Sequence, residues 1–160
     1  MSDIKVQKQS DQHVESQILT NADFPINLEG DEYLAKAPTD RDYVELDVWV
    51  KAQYLRMVKG AVDLLEPSER SEFMKEAMST VAHVRWANDL GLSFINSPIG
   101  LAKIAFLMLR KNHPRLDEGW LGDAMKKAGN LTEVAKSFSH FNELAESIQE
   151  SNEGGGSAKK

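Results

Sequence analysis

A chain of 160 residues with 19 Lys and Arg against 25 Asp and Glu carries a formal net charge of −6, long enough for one domain with tails and too short for two ordinary domains. The acidic balance and a pI near 5.2 disfavour nucleic acid as a partner, because phosphate binding needs a basic surface. No cysteine is present, which excludes disulfides, thiol nucleophiles and cysteine zinc sites and suits a reducing cytoplasm.

Residues 1–22 mix Lys, Gln, Asp, Ser and Glu with scattered Val and Ile and show no helical or strand period, the pattern of a disordered arm. They also lack the basic-then-apolar order of a signal peptide. Phe24, Ile26 and Leu28 then alternate with other residues ahead of Glu29-Gly30-Asp31, which predicts a small β-hairpin over 24–36. Two strands are marginal alone, so this ribbon must lean on helices or on a partner.

Thr39 or Asp40 can cap a helix over 40–65, with Asp40, Asp42 and Glu45 near its positive end. Tyr43, Leu46, Val50, Met57, Ala61 and Leu64 form one apolar stripe. Val44, Val48, Leu55, Val58 and Val62 form a second, so this helix is expected to be core on most of its girth. Pro67-Ser68-Glu69 opens a helix over 67–89 in which Phe73, Ala77, Val81 and Val84 share a face, with Met74 and Met78 nearby.

The most apolar segment follows, a helix over 98–112. Ser97 can cap it, Pro98 fits its first position, and His113-Pro114 ends it. Between those ends only Lys103 is charged before Arg110, so the rest of the chain is expected to surround this helix. The run from Ile99 to Leu109 is too short to span a bilayer, and no membrane association is expected.

Asp117 can cap a short helix over 117–128 that carries Trp120, Leu121, Ala124 and Met125 and is closed by Gly129-Asn130. Gly119 and Gly122 weaken it, each by about 1 kcal/mol relative to alanine. Thr132 and Glu133 start a last helix over 132–149, with Leu131, Val134, Phe138, Phe141, Ala145 and Ile148 recurring at alternating three and four residues. From 151 to 160 a Gly154-Gly155-Gly156-Ser157 stretch marks a flexible tail. The sequence therefore predicts a mainly α fold, a single bundle of about five helices around a central apolar helix, with a small N-terminal hairpin and disordered termini.

No residue pattern points to catalysis. His13, His83, His113 and His140 are dispersed without zinc-like spacing, and His113 is placed to interact with the C-terminal dipole of the central helix. Glu72 and Glu76 share a helix face without further ligands, and Ser79, Thr80, Ser137 and Ser139 sit in no nucleophile elbow. The expectation is no enzyme, no cofactor and no metal. Trp49, Trp86, Trp120, Phe138 and Phe141 are large anchors that serve a core or an interface equally well. Phe138, Phe141, Leu144 and Ile148 on the last helix are the candidate partner-binding residues, the alternative being that this seam packs on the central helix.

Phe24 to Tyr33, Thr39 to Val50 and Gly100 to Pro114 together give residues 24 to 145 a pattern that resembles the tail assembly chaperones of long-tailed bacteriophages. That resemblance implies a cytoplasmic protein that binds the tape-measure protein, keeps it dispersed and helps recruit tail-tube subunits before release. It also implies a short form and a frameshifted long form, and Ala158-Lys159-Lys160 fits a slippery run of adenines. The competing expectations are a permanent virion component, such as a connector, neck or capsid-associated protein, and a helical protein-binding regulator.

Overall fold

The structure is a computed structural model that describes residues 23–153, with side chains described as far as Glu143. The expected arm over 1–22, and the tail from 154 onward, lie outside the described residues. The described residues form two strands and six helices: β1 (Asp23–Leu28), β2 (Asp31–Lys36), α1 (Asp40–Val62), α2 (Arg70–Val81), α3 (Asp89–Ile95), α4 (Pro98–Leu109), α5 (Glu118–Ala124) and α6 (Ala128–Glu153). The fold is mainly helical with one antiparallel hairpin, as expected from the sequence.

The hairpin pairs Phe24 with Ala35, Ile26 with Tyr33 and Leu28 with Asp31. Alternation places Ile26, Leu28 and Ala35 in the core and leaves Pro25 and Asn27 exposed. Its two-residue loop has positive φ at both positions, 58° at Glu29 and 90° at Gly30, as a type I′ turn requires. Glutamate is a strained choice there, and its side chain accounts for it. Glu29 accepts from Asn130 Nδ2 at 2.5 Å and from Lys127 Nζ, while its own N–H donates to Asn130 Oδ1 at 3.3 Å.

Several expected boundaries differ, and the central α4 itself stops at Leu109 rather than residue 112. The segment over 67–89 is not one helix: α2 ends at Val81, and Asn88 caps a separate α3 by accepting from Gly91 N at 2.9 Å. Gly91 permits this break, because a Cβ there would lie 1.8 Å from the Arg85 carbonyl oxygen. α1 stops at Val62 rather than residue 65, and α5 stops at Ala124. Asn130 does not close α5 as a chain reversal; it lies in the first turn of α6 and donates Nδ2 to the Ala124 carbonyl at 2.9 Å. α6 accordingly starts four residues before Thr132, whose hydroxyl bonds back to the Ala128 carbonyl at 3.0 Å, and it continues through residues 151–153.

α4 is the centre. Nine of its twelve residues are buried, and Ile104, Ala105, Met108 and Leu109 are almost wholly shielded from solvent. Its start is written as expected: Ser97 Oγ accepts from Gly100 N at 3.1 Å, with Pro98 in the first turn. No single helix among the described residues is long and apolar enough to cross a membrane; α3 and α4 together are apolar but bend by 82° at their junction. That bend brings Gly100 against the end of α3.

A Cβ on Gly100 would sit 2.2 Å from the Phe94 carbonyl oxygen and 2.4 Å from that of Ile95, whereas one on Gly122 in α5 would meet nothing within 4 Å. Gly100→Ala is therefore expected to destabilise the fold by at least about 2 kcal/mol through forced separation of α3 and α4. Gly122→Ala is expected to stabilise by up to about 1 kcal/mol. Urea unfolding of the two variants checks both signs.

Candidate functional site

The residues expected to bind a partner fall in different environments. Phe138 is only 6% exposed and belongs to the core, so it is not an outward anchor. Trp86, from the turn between α2 and α3, covers it edge-on at 6.0 Å, and Tyr43 of α1 stacks on Trp86 at 4.9 Å. The Tyr43 hydroxyl donates to Asn142 Oδ1 at 3.2 Å, and Trp86 N donates to Asp47 Oδ1 at 2.6 Å, so α1 and α6 are clamped around that turn. Burial, reinforced by Asp40 and Asp42, pushes the Tyr43 hydroxyl pKa up. Phe141 is half-buried against Phe24, with ring centroids 4.3 Å apart. Leu144 and Ile148 lie on α6 beyond the described side chains.

The histidines and paired acids resolve differently from one another. His83 is exposed, as are Glu72 and Glu76, and no group of three or more potential metal ligands occurs among the described residues. His13 lies outside the described residues. His113 is not a helix-dipole partner: its Nε2 accepts the Leu34 N–H at 3.1 Å, while Asn112 Nδ2 donates to the Leu34 carbonyl at 3.1 Å. Together they satisfy the outward-facing N–H and carbonyl of Leu34 on the open edge of β2. The hydroxyls of Thr80 and Ser137 bond to carbonyls one turn back in their own helices.

A network of charges, which the sequence reading did not anticipate, ties α1 to α4. Asp42 is 1% exposed. Its Oδ2 accepts from Thr39 N and Thr39 Oγ1, both at 2.7 Å, and from Lys111 Nζ at 3.1 Å, while Oδ1 accepts from Arg110 Nη2 at 2.7 Å. Glu45, one turn on, joins Arg110 Nη1 at 2.8 Å to Lys103 Nζ at 2.9 Å, and Lys103 also lies 3.6 Å from Glu118. Phe106, on the same face of α4, has Lys103 and Arg110 at 5.2 and 5.7 Å from its ring centre. Three cations thus meet three carboxylates. The signal in the sequence was Lys103 and Arg110 seven residues apart, two helical turns, opposite Asp42 and Glu45 three residues apart.

α1 presents its apolar residues on two faces, and only one is used by the fold. Leu46, Val50, Tyr54 and Val58 continue the four-residue row that begins at Asp42 and point inward. Val44 and Val48 are 63% and 64% exposed, and Leu55 is 39% exposed. The expectation that α1 is core on most of its girth is therefore corrected: the second stripe faces solvent over its first three turns and is covered only near Val58 and Val62, and Met57 and Leu64 of the first stripe are exposed as well, at 50% and 88%. Met74 and Met78 of α2 are also exposed. Val44, Val48 and Leu55 thus form an exposed apolar strip along the outward face of α1. Comparison of the chain with protein-family models, with curated proteins and with solved structures gives no match.

Burial opposes ionisation of Asp42, but hydrogen bonds from Thr39, Arg110 and Lys111 outweigh it and hold the carboxyl pKa down to about 2. A folded-state pKa below the unfolded value near 4 adds stability above that value, lost as pH falls toward 2. Between pH 5 and pH 2 the wild-type chain is expected to lose about 2 kcal/mol more unfolding free energy than Asp42→Asn. Equal losses in urea titrations at each pH would refute the assignment.

Proposed function

We propose that this protein is a non-catalytic assembly factor that holds another polypeptide against the outward face of α1. Following the resemblance of residues 24–145 to phage tail assembly chaperones, the polypeptide is the long helical tape-measure protein, and tail-tube subunits are recruited to the complex. The observation that carries the reading is the exposure of Val44, Val48 and Leu55 on a helix whose Leu46, Val50, Tyr54 and Val58 row is buried in the core.

Such a stripe matches helix-in-groove recognition, in which side chains three and four residues apart contact the apolar face of a second helix. Met74 and Met78 of α2 also expose thioethers, a side-chain type that adapts to partners of varied sequence. The ionisable groups brought together between α1 and α4 are matched cation to anion, an arrangement suited to fixing helices in place. Release before tail completion is compatible with a small apolar footprint, since affinity depends on a few buried anchors.

Co-purification of the full chain with fragments of the tape-measure protein from the same gene cluster tests this function. Capture is expected for the wild type and is expected to weaken at least about tenfold in Val48→Asp, whose melting temperature should stay close to wild type because residue 48 is exposed. Mass spectrometry of mature particles should find the protein absent. No capture of any fragment, or stoichiometric presence in particles, would overturn the proposal.

A further inference from the structure

The chemistry of the α1 stripe specifies its occupant further than apolar contact alone, and the following rests on the reading that this face holds a helix. Arg41, Val44, Val48, Lys51, Leu55 and Lys59 follow one another at spacings of three and four residues, so they share one side of α1. From Val44 to Leu55 the stripe rises about 16 Å, three turns of helix. It is a basic and apolar strip on a chain of net charge −6.

The nearby carboxylates form no direct ion pair with it among the described residues. Glu45 is committed to Lys103 and Arg110, and Asp47, whose Oδ1 is turned to Trp86 N at 2.6 Å, makes no ion pair with Lys51 four residues on. Asp40 and Asp63 lie at the two ends of the helix. Among the described residues no carboxylate stands within ion-pair distance of Arg41, Lys51 or Lys59.

We infer that the outward face of α1 is a docking site for an amphipathic helix of a partner protein whose apolar seam is bordered by Asp and Glu. The seam covers Val44, Val48 and Leu55, and the partner's carboxylates meet Arg41, Lys51 and Lys59. An anionic membrane fits the strip less well. Membrane-surface helices bury Trp, Phe and Leu, whereas the exposed apolar residues here are two valines and one leucine, on a protein whose overall charge opposes approach to anionic lipid.

The test uses the full chain and two labelled helical peptides with the same Leu and Val seam, one flanked by Glu and the other by Lys, followed by fluorescence anisotropy. The Glu-flanked peptide is expected to bind about tenfold or more tightly than the Lys-flanked one, a margin that shrinks with added salt. Val48→Asp should abolish binding. Arg41→Glu combined with Lys51→Glu should reverse the preference toward the Lys-flanked peptide, a readout that a general loss of structure would not produce.

Equal binding of the two peptides, binding of neither, or binding that survives Val48→Asp would overturn the inference. So would Val48-dependent association with phosphatidylserine vesicles, or self-association of the wild type that Val48→Asp disrupts. Equal binding of the two peptides together with capture of the tape-measure protein would remove the charge rule and leave the function standing; charge-selective peptide binding without such capture would do the reverse.

Discussion

A buried carboxylate sets the orientation of the helix on which the functional reading rests. Asp42 lies in the first turn of α1, where the positive end of the helix favours an anion, and it meets Arg110 and Lys111 just past the negative end of α4. The position of a single residue near the start of a helix determines the rotation of the whole rod about its axis. With Asp42 turned inward, Leu46, Val50, Tyr54 and Val58 must follow it at intervals of four residues. Val44, Val48 and Leu55 then have to point away.

The remaining elements are held by polar fastenings that satisfy groups left open by the backbone. The β2 edge gives the Leu34 N–H and carbonyl to His113 and Asn112, residues that also end the central segment. The hairpin loop is pinned by Asn130, which serves the strained Glu29 and the last carbonyl of α5 at once and is itself only 8% exposed. A buried amide of this kind costs free energy unless its donors and acceptor are all used. Here it ties together three segments that each bring side chains to the core, Ile26 and Leu28 from the hairpin, Leu121 from α5 and Val134 from α6, so the polar contacts specify the geometry in which that burial is achieved.

How much of this was legible in the sequence depended on the range of the interaction. Local chemistry was readable: Ser97 and Pro98 started α4, Asp117 capped α5 by accepting from Gly119 N at 3.0 Å, and alternating residues made the hairpin. Contacts made at a distance were not. Gly129-Asn130 looked like a helix stop because glycine followed by asparagine commonly is one, yet the side chain of Asn130 was needed by Glu29, a hundred residues away in the chain. Phe138 looked like an interface residue because nothing local showed that Trp86 would cover it. The break between α2 and α3 depended on the closeness of the Gly91 and Arg85 backbones, which no periodicity encodes.

The two stripes of α1 pose the sharper question of why the fold chose the face it did. Burying Val44 and Val48 instead would gain about 1.5–3 kcal/mol for each side chain, but it would turn Leu46, Val50 and Tyr54 outward at a comparable cost for each. It would also carry Lys51 into the interior between Val48 and Leu55, and it would withdraw Asp42 from Arg110 and Lys111. Arg110 and Lys111, both partly exposed, would lose that carboxylate, and Lys51 would become a buried cation without a partner, which costs about 3–5 kcal/mol. Lysine within the stripe and aspartate opposite it therefore act together: one forbids the valine face from turning in, and the other rewards turning it out. An apolar strip that cannot be hidden by its own fold remains available to another chain.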